Sequence, residues 1–261
     1  MLCAREYRLD VVWSVDTRWA NMAALFAAGF LCIGHCLDEE RASKPADFDT
    51  DMPSVNPMHI LLPKLHLMRC YIRPTELQHT RKTHRKAKRC RVTINQNLDR
   101  VIRECQEFHV ARRGVCWLYG NYVAALSGGQ APGPVRSLSV EIWQDQELVA
   151  GELGILLGRL YISLTGFYRK AGCGNVQLVA LSRLLHKAGV EHWDLGMGMD
   201  YKANLGSRLI PRAEHISLTR SHRHFNETNA RVTELESMSE SSCESVMEWL
   251  PRISPSETNE L

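Results

Sequence analysis

SLSVEIWQDQELVAGELGILLGRLYISLT, residues 137–165, decides the fold class. Its first seven residues have a period of two: Leu138, Val140 and Ile142 point one way, and Ser139, Glu141 and Trp143 the other. Asp145 marks a turn. Leu148 to Leu156 and Leu160 to Leu164, hinged at Gly158, complete a three-stranded meander. On the C-terminal side the period lengthens. Asn175 to Ala188 sets Val176, Val179, Ala180 and Leu184 on one side of a helix, Gly189 stops it, and Val190 to Trp193 reads as a short strand. On the N-terminal side, Arg91 to Ile94 is strand-like, and Leu98, Val101, Ile102 and Cys105 fall at the spacing of an amphipathic helix. A further helix covers Trp117 to Leu126, ended by Gly128 and Gly129. The body is therefore expected to be mixed α/β.

The flanks read differently. Asp16 to Leu31 has Trp19, Met22, Ala23, Leu25 and Phe26 at helical spacing with Gly29 as its stop, and the apolar stretch Met22 to Cys36 reads as a buried helix and turn. At that length the stretch is short of a membrane span, so no membrane partner is expected. Asp38 to Pro57 is acidic and carries three prolines, which marks a loop. Beyond Arg220 the chain turns to Ser, Glu, Thr and Asn, and Asn226 to Leu261 is expected to be disordered. The expected division is an N-terminal element with its linker (1–57), a body (58–225) and a tail (226–261).

A chain of 261 residues, 44% hydrophobic and 23% charged, is long enough for one sizeable core with appendages. Nine irregularly spaced cysteines argue against a disulfide framework and for a reducing compartment, so a cytoplasmic setting is expected. Residues 1–10 lack the apolar run of a signal peptide. Cys32, His35 and Cys36 have no second pair at zinc-finger spacing; core packing is the expectation, with no metal. The net charge of +3 is too small to decide on a nucleic-acid partner, so its distribution must.

That distribution is uneven. Arg81, Lys82, Arg85, Lys86, Lys88, Arg89 and Arg91 run with His79 and His84 and with no acid between Glu76 and Asp99. Phosphates are the natural counterpart, because each neutralised phosphate releases counterions. A solvated helix face or a localisation signal reads equally well. Arg169, Gly172 and Gly174 lead into the helix from Asn175, which suits either an anion at a helix start or a plain turn. Asp194 closes a short strand, where a carboxylate serves either chemistry or an Asx turn. The aromatics Trp117, Tyr122, Trp143, Tyr161 and Phe167 suit either an apolar pocket or the core.

Leu61 to Cys70, Arg91 to Ile94, Ser139 to Trp143, Glu147 to Gly154, Tyr201 to Gly206 and Ile210 to Arg212 together resemble the leucyl/phenylalanyl-tRNA-protein transferase family. The resemblance covers roughly 150 residues. It implies an acyl-CoA N-acyltransferase-like mixed sheet with flanking helices. It also implies a reaction without a cofactor, in which Leu, Phe or Met passes from aminoacyl-tRNA to proteins beginning with Arg or Lys, marking them for degradation. On this resemblance Asp194 orients the attacking amine or takes its proton, Glu141 receives the acceptor's basic side chain, and Trp117, Tyr161 and Phe167 form the pocket. The basic run from Arg81 to Arg91 is then the tRNA-binding surface. The chain departs from the family at Gly196, where Gln is usual, at Leu164, where Glu is usual, and at Leu138, where His is usual. Those departures keep a catalytically silent tRNA or degron binder in view, and Arg169, Gly172 and Gly174 keep an acyl-CoA N-acetyltransferase.

Overall fold

The structure, a computed structural model, describes residues 11–37, 59–114, 116–223 and 227–248. In chain order the elements are α1 (Trp19–Ala27), β1 (Leu31–Cys36), β2 (His59–Lys64), β3 (Met68–Ile72), α2 (Arg81–Ala87), β4 (Arg91–Ile94), α3 (Leu98–Arg113) and α4 (Gly120–Gly128). Then come β5 (Val135–Gln144), β6 (Glu147–Leu157), β7 (Leu160–Tyr168), α5 (Cys173–Lys187), β8 (His192–Asp194) and α6 (Asp200–Ala203). β9 (Arg208–Pro211), α7 (Arg212–His222), α8 (Thr228–Ser237), β10 (Ser241–Ser242) and α9 (Cys243–Met247) complete the chain. A short 3-10 turn, Pro74–Glu76, follows β3.

The meander folds as its alternation predicts. β5, β6 and β7 pair antiparallel, and Asp145 and Gln146, both at positive φ, make the tight connection between the first two. These strands lie inside an eight-stranded sheet ordered β10-β4-β5-β6-β7-β8-β3-β9. Its pairs are antiparallel except β7 with β8, which run parallel because α5 carries the chain over one face between them. β1 and β2 form a separate antiparallel ribbon.

Helices cover both faces, so the mixed α/β expectation holds. On one face α5 buries Val176, Val179, Ala180 and Leu184 against Leu138, Val140, Ile142 and Leu156. On the other, α1, α3 and α4 bring Met22, Phe26, Val101, Ile102, Tyr122 and Leu126 onto Leu153, Ile155 and Leu157. Burying a Leu or Val contributes about 1.5–3 kcal/mol, so the two layers hold the sheet in place.

Two expectations fail. The stretch Met22 to Cys36 is not helix and turn throughout: the chain passes Gly29 at φ +98 and continues as β1, with alternate residues buried. Nor is the chain beyond Asn226 disordered throughout. Val232 and Leu235 of α8, and Cys243, Val246 and Met247 of α9, enter the core beside α5. A polar average hid them, because a helix needs only one apolar residue per turn to dock. The expected loop at 38–57, the start at 1–10 and the end at 249–261 lie outside the described residues.

Candidate active site

β7 and β8 pair only from Leu160–His192 to Ile162–Asp194. β8 then ends, and β7 runs on through Ser163, Leu164, Thr165 and Gly166, all half-buried where the strand before them is fully buried. The wedge between the parting strands is bounded by the loop 195–199, on which Met197 and Met199 are exposed.

That loop is held at several points. Asp194 Oδ1 accepts the Gly196 N–H at 2.8 Å, Cys70 exchanges backbone hydrogen bonds with Leu195 and Gly196, and Lys202 donates to the carbonyls of Leu195 and Met197. Burial pushes the Lys202 ammonium down. Gly196 sits at φ +81 with no atom close to where a Cβ would project, so it is there for its backbone rather than for want of space.

Asp194 itself is closed off. Arg69 of β3 donates to its Oδ2 from both Nε and Nη2; both side chains are about 1% exposed or less. Gly196 takes the other oxygen, so both carboxylate oxygens are engaged by the scaffold. Of the two readings of Asp194 in the sequence, the turn is the one visible in the geometry.

A second carboxylate, which the sequence reading passed over, lies under the wedge. Glu152 of β6 is buried with no cationic partner in contact among the described residues; Ser163 Oγ donates to it at 2.5 Å and Gln177 Nε2 at 2.8 Å. Trp193 Nε1 in turn donates to Ser163 Oγ at 2.8 Å. Burial pushes the Glu152 carboxyl up, and the hydrogen bonds from Ser163 and Gln177, with the more distant charge of Lys202, only partly offset it. The half-buried Ser163 hydroxyl therefore links the open strand edge to a buried carboxyl. Gly154 makes the room: a Cβ there would lie 2.0 Å from the Tyr161 hydroxyl. The signal in the sequence was an acid at an apolar strand position between Gly151 and Gly154.

Between the two hydroxyls of β7 sits an irregularity. Gly154 pairs with Ser163 but Leu153 pairs with Thr165, leaving Leu164 as the extra residue of a bulge. A bulge reverses the alternation beyond it. Ser163 faces Glu152 and α5, while Thr165 faces α3, where His109 Nε2 lies 2.6 Å from its Oγ1. Burial, with Arg113 and Arg112 nearby, pushes that imidazole down.

The bulge also corrects the aromatic pocket. Tyr161 and Phe167, six residues apart, share a face in an unbroken strand; here Tyr161 joins the α5-side core and Phe167 the opposite one with Trp117. The three cannot line one pocket. Trp117 stacks edge-on against Tyr122 at 5.2 Å, on the Phe167 side.

The remaining expectations fall outside the wedge. Glu141 is wholly buried, accepting from Thr93 at 2.5 Å, Ser139 at 2.6 Å and the Asn97 N–H at 3.2 Å, which fixes the start of α3 and leaves it shielded from an acceptor's basic side chain. Leu138 lies in the α5-side core. Arg169 spans Glu104 and Glu107 of α3, and Gly172 at φ +81 caps α5, so the phosphate-loop arginine is already engaged. Of the basic run, Arg81, Lys82, Arg85 and Arg89 are exposed and Thr83 and Ala87 are buried; Lys88 pairs with Glu244 and Arg91 with Glu240. Cys32 and Cys36 are buried in the core, and the eight cysteines among the described residues are free thiols. No described helix is long and apolar enough to cross a membrane.

Residues 71–220 match the model of the family described as leucyl/phenylalanyl-tRNA protein transferase. Proteins named leucyl/phenylalanyl-tRNA--protein transferase align with the chain: that of Bordetella petrii is 34% identical over 131 residues, 49% of this chain and 51% of its own length. The Syntrophobacter fumaroxidans relative is 33% identical over 127 residues (49% and 53%), and the Erwinia tasmaniensis relative 29% over 169 (64% and 67%). The chain thus spans about half the length of several curated relatives it matches. A solved structure described as the C-terminal domain of a lysylphosphatidylglycerol synthetase from Agrobacterium fabrum covers 64% of this chain and 56% of its own at TM-score 0.38 and 11% identity, too low to argue from. With the match running from β3 through α7 and taking in the whole wedge, the chain belongs to the leucyl/phenylalanyl-tRNA protein transferase family.

Proposed function

We propose that this protein moves an aminoacyl group from aminoacyl-tRNA to the amino terminus of a protein, at the wedge between β7 and β8. The observation that carries the reading is the half-open edge Ser163–Gly166 set over the buried Glu152. An aminoacyl ester is already activated, and an α-amino group with a reference pKa of about 7.7–8.0 has a neutral fraction near pH 7. Positioning then does most of the work. The amine nitrogen attacks the ester carbonyl, the amide C–N bond forms and the ester C–O bond breaks. The amine's proton passes through Ser163 to Glu152 and on to the departing ribose hydroxyl. Asp194 acts indirectly, by holding the loop 195–199 in place with Arg69. The half-buried Trp117 offers apolar surface for a Leu, Phe or Met side chain, backed by the buried Phe167, without Tyr161. Arg81, Lys82, Arg85, Lys86 and Arg89 form a basic surface for the tRNA backbone.

Acceptors beginning with Arg or Lys, a cytoplasmic setting and a product destined for degradation belong to the same proposal. Incubation with Leu-, Phe- and Met-tRNA and with peptides bearing each possible first residue tests donor and acceptor together. Transfer to Arg and Lys peptides is expected, with tRNA binding whose salt dependence flattens when Arg85, Lys86 and Arg89 become Ala. A second reading, a tRNA binder without catalysis, is favoured by the closure of Asp194 and by Leu164 and Gly196; salt-dependent binding with no transfer to any peptide would select it.

A further inference from the structure

At the opposite end of β8 from the wedge, a second group of chemically capable side chains gathers. His192 opens the strand, Glu191 precedes it, and His222 ends α7. His192 Nδ1 and His222 Nε2 are 3.1 Å apart, and a Glu191 carboxylate oxygen lies within 4.8 Å of both ligand nitrogens. We propose that these three residues form a binding site for a divalent transition-metal ion of the zinc class.

The geometry is near what such an ion needs. Zinc–nitrogen bonds of about 2.0–2.1 Å put tetrahedral ligands roughly 3.3 Å apart, so the two ring nitrogens already stand about one coordination edge from each other. Two imidazoles and one carboxylate are borderline donors that favour zinc, cobalt or nickel over calcium or magnesium. The scaffold is stiff: both Glu191 and His192 donate backbone N–H groups to the Arg159 carbonyl, and His192 is in register with Leu160. Glu191 also accepts from the Arg159 side chain, but a carboxylate has two oxygens, and one suffices for a metal.

The fourth position has somewhere to face. A cavity of about 490 Å³ is lined by Arg73, Arg159, His186, Glu191, His192 and Arg231. Three protein ligands beside an open cavity describe a site that keeps a water or a small anion, rather than a closed structural one. The arginines weaken cation binding, although Glu227 engages two of them, Arg159 and Arg231; they also favour an anionic fourth ligand. Micromolar rather than nanomolar affinity is expected.

The test uses the full chain stripped with a chelator and titrated with Zn²⁺ and with Co²⁺. One equivalent should bind, raise the melting temperature, and in the Co²⁺ form give the visible absorption of a low-coordinate site with nitrogen and oxygen ligands. His222→Gln and His192→Gln should weaken binding by roughly tenfold or more. Glu191 is half exposed, so Glu191→Gln should keep the fold and still lose affinity, which protects the test if a histidine variant misfolds. His84, Glu244 and Glu248 form another loose group, and His84→Gln should leave binding unchanged. Absence of binding to the parent, affinity in Glu191→Gln equal to the parent's, or loss of binding in His84→Gln would each overturn the proposal.

Discussion

Asp194 and Glu152 flank the same wedge, both are buried, and both accept hydrogen bonds at each oxygen, yet their surroundings prepare them for opposite tasks. Asp194 is bound by a guanidinium and by the backbone of the loop it closes. Among the described residues Glu152 is bound by neutral side chains, Ser163 and Gln177. A buried carboxylate with a guanidinium in contact has its desolvation offset by that partner and becomes part of the scaffold. A buried carboxyl met only by neutral donors retains its desolvation cost, and taking a proton relieves it. The identity of the donors, more than burial itself, separates an anchor from a proton acceptor.

The sharpest way to break this contrast is to remove the cation. Arg69→Met leaves Asp194 buried without its partner and is expected to cost about 3–5 kcal/mol of stability in denaturant unfolding. A loss under about 1 kcal/mol would show that Asp194 is solvated some other way, and the anchor reading would go.

The same comparison predicts that Glu152→Gln hardly disturbs the fold while single-turnover transfer drops about a hundredfold. Equal transfer rates in the parent and the variant would remove Glu152 from the proton path.

A pH series sharpens the point. The folded carboxyl of Glu152 titrates above its unfolded value of 4.5, so between those two values the native state holds more protons than the unfolded one. Stability from this group is complete below the unfolded value and is lost as pH rises through the folded one. Thermal midpoints of the parent and Glu152→Gln should therefore differ least in acid and separate in the variant's favour as pH climbs past about 4.5. A gap independent of pH would mean that Glu152 is as well solvated folded as unfolded.

The smallest effect belongs to a carboxylate pairing at the surface. Arg169 is about a third exposed where it spans Glu104 and Glu107, so Arg169→Ala should cost under about 1 kcal/mol, and salt should erase even that. A loss matching that of Arg69→Met would mean that exposure, the variable separating the two ion pairs, counts for little here.

Much of the fold was legible because its signals were local. Alternation from Ser137 gave the meander, and the apolar stripe from Val176 gave α5 together with its Gly189 stop. The site was less legible for specific reasons. Arg69 meets Asp194 across 125 residues, a separation that no periodicity reports. The bulge at Leu164 cannot be read from alternation, since the residues around it still alternate by count, and one unpaired residue was enough to split Tyr161 from Phe167. In the tail, Val232 and Leu235 were too sparse to outweigh the serines and glutamates around them.

Gly196 carries a consequence for any attempt to restore the family's usual residue. The resemblance places Gln at this position, and no neighbour would obstruct such a side chain. The obstacle is the backbone: at φ +81 a residue with a Cβ costs roughly 1–2 kcal/mol, and the N–H that this conformation presents is the one Asp194 accepts. Grafting the amide back therefore sets a side chain against a peptide orientation, and a productive reversion needs a rebuilt turn from 194 to 198 as well as a changed codon.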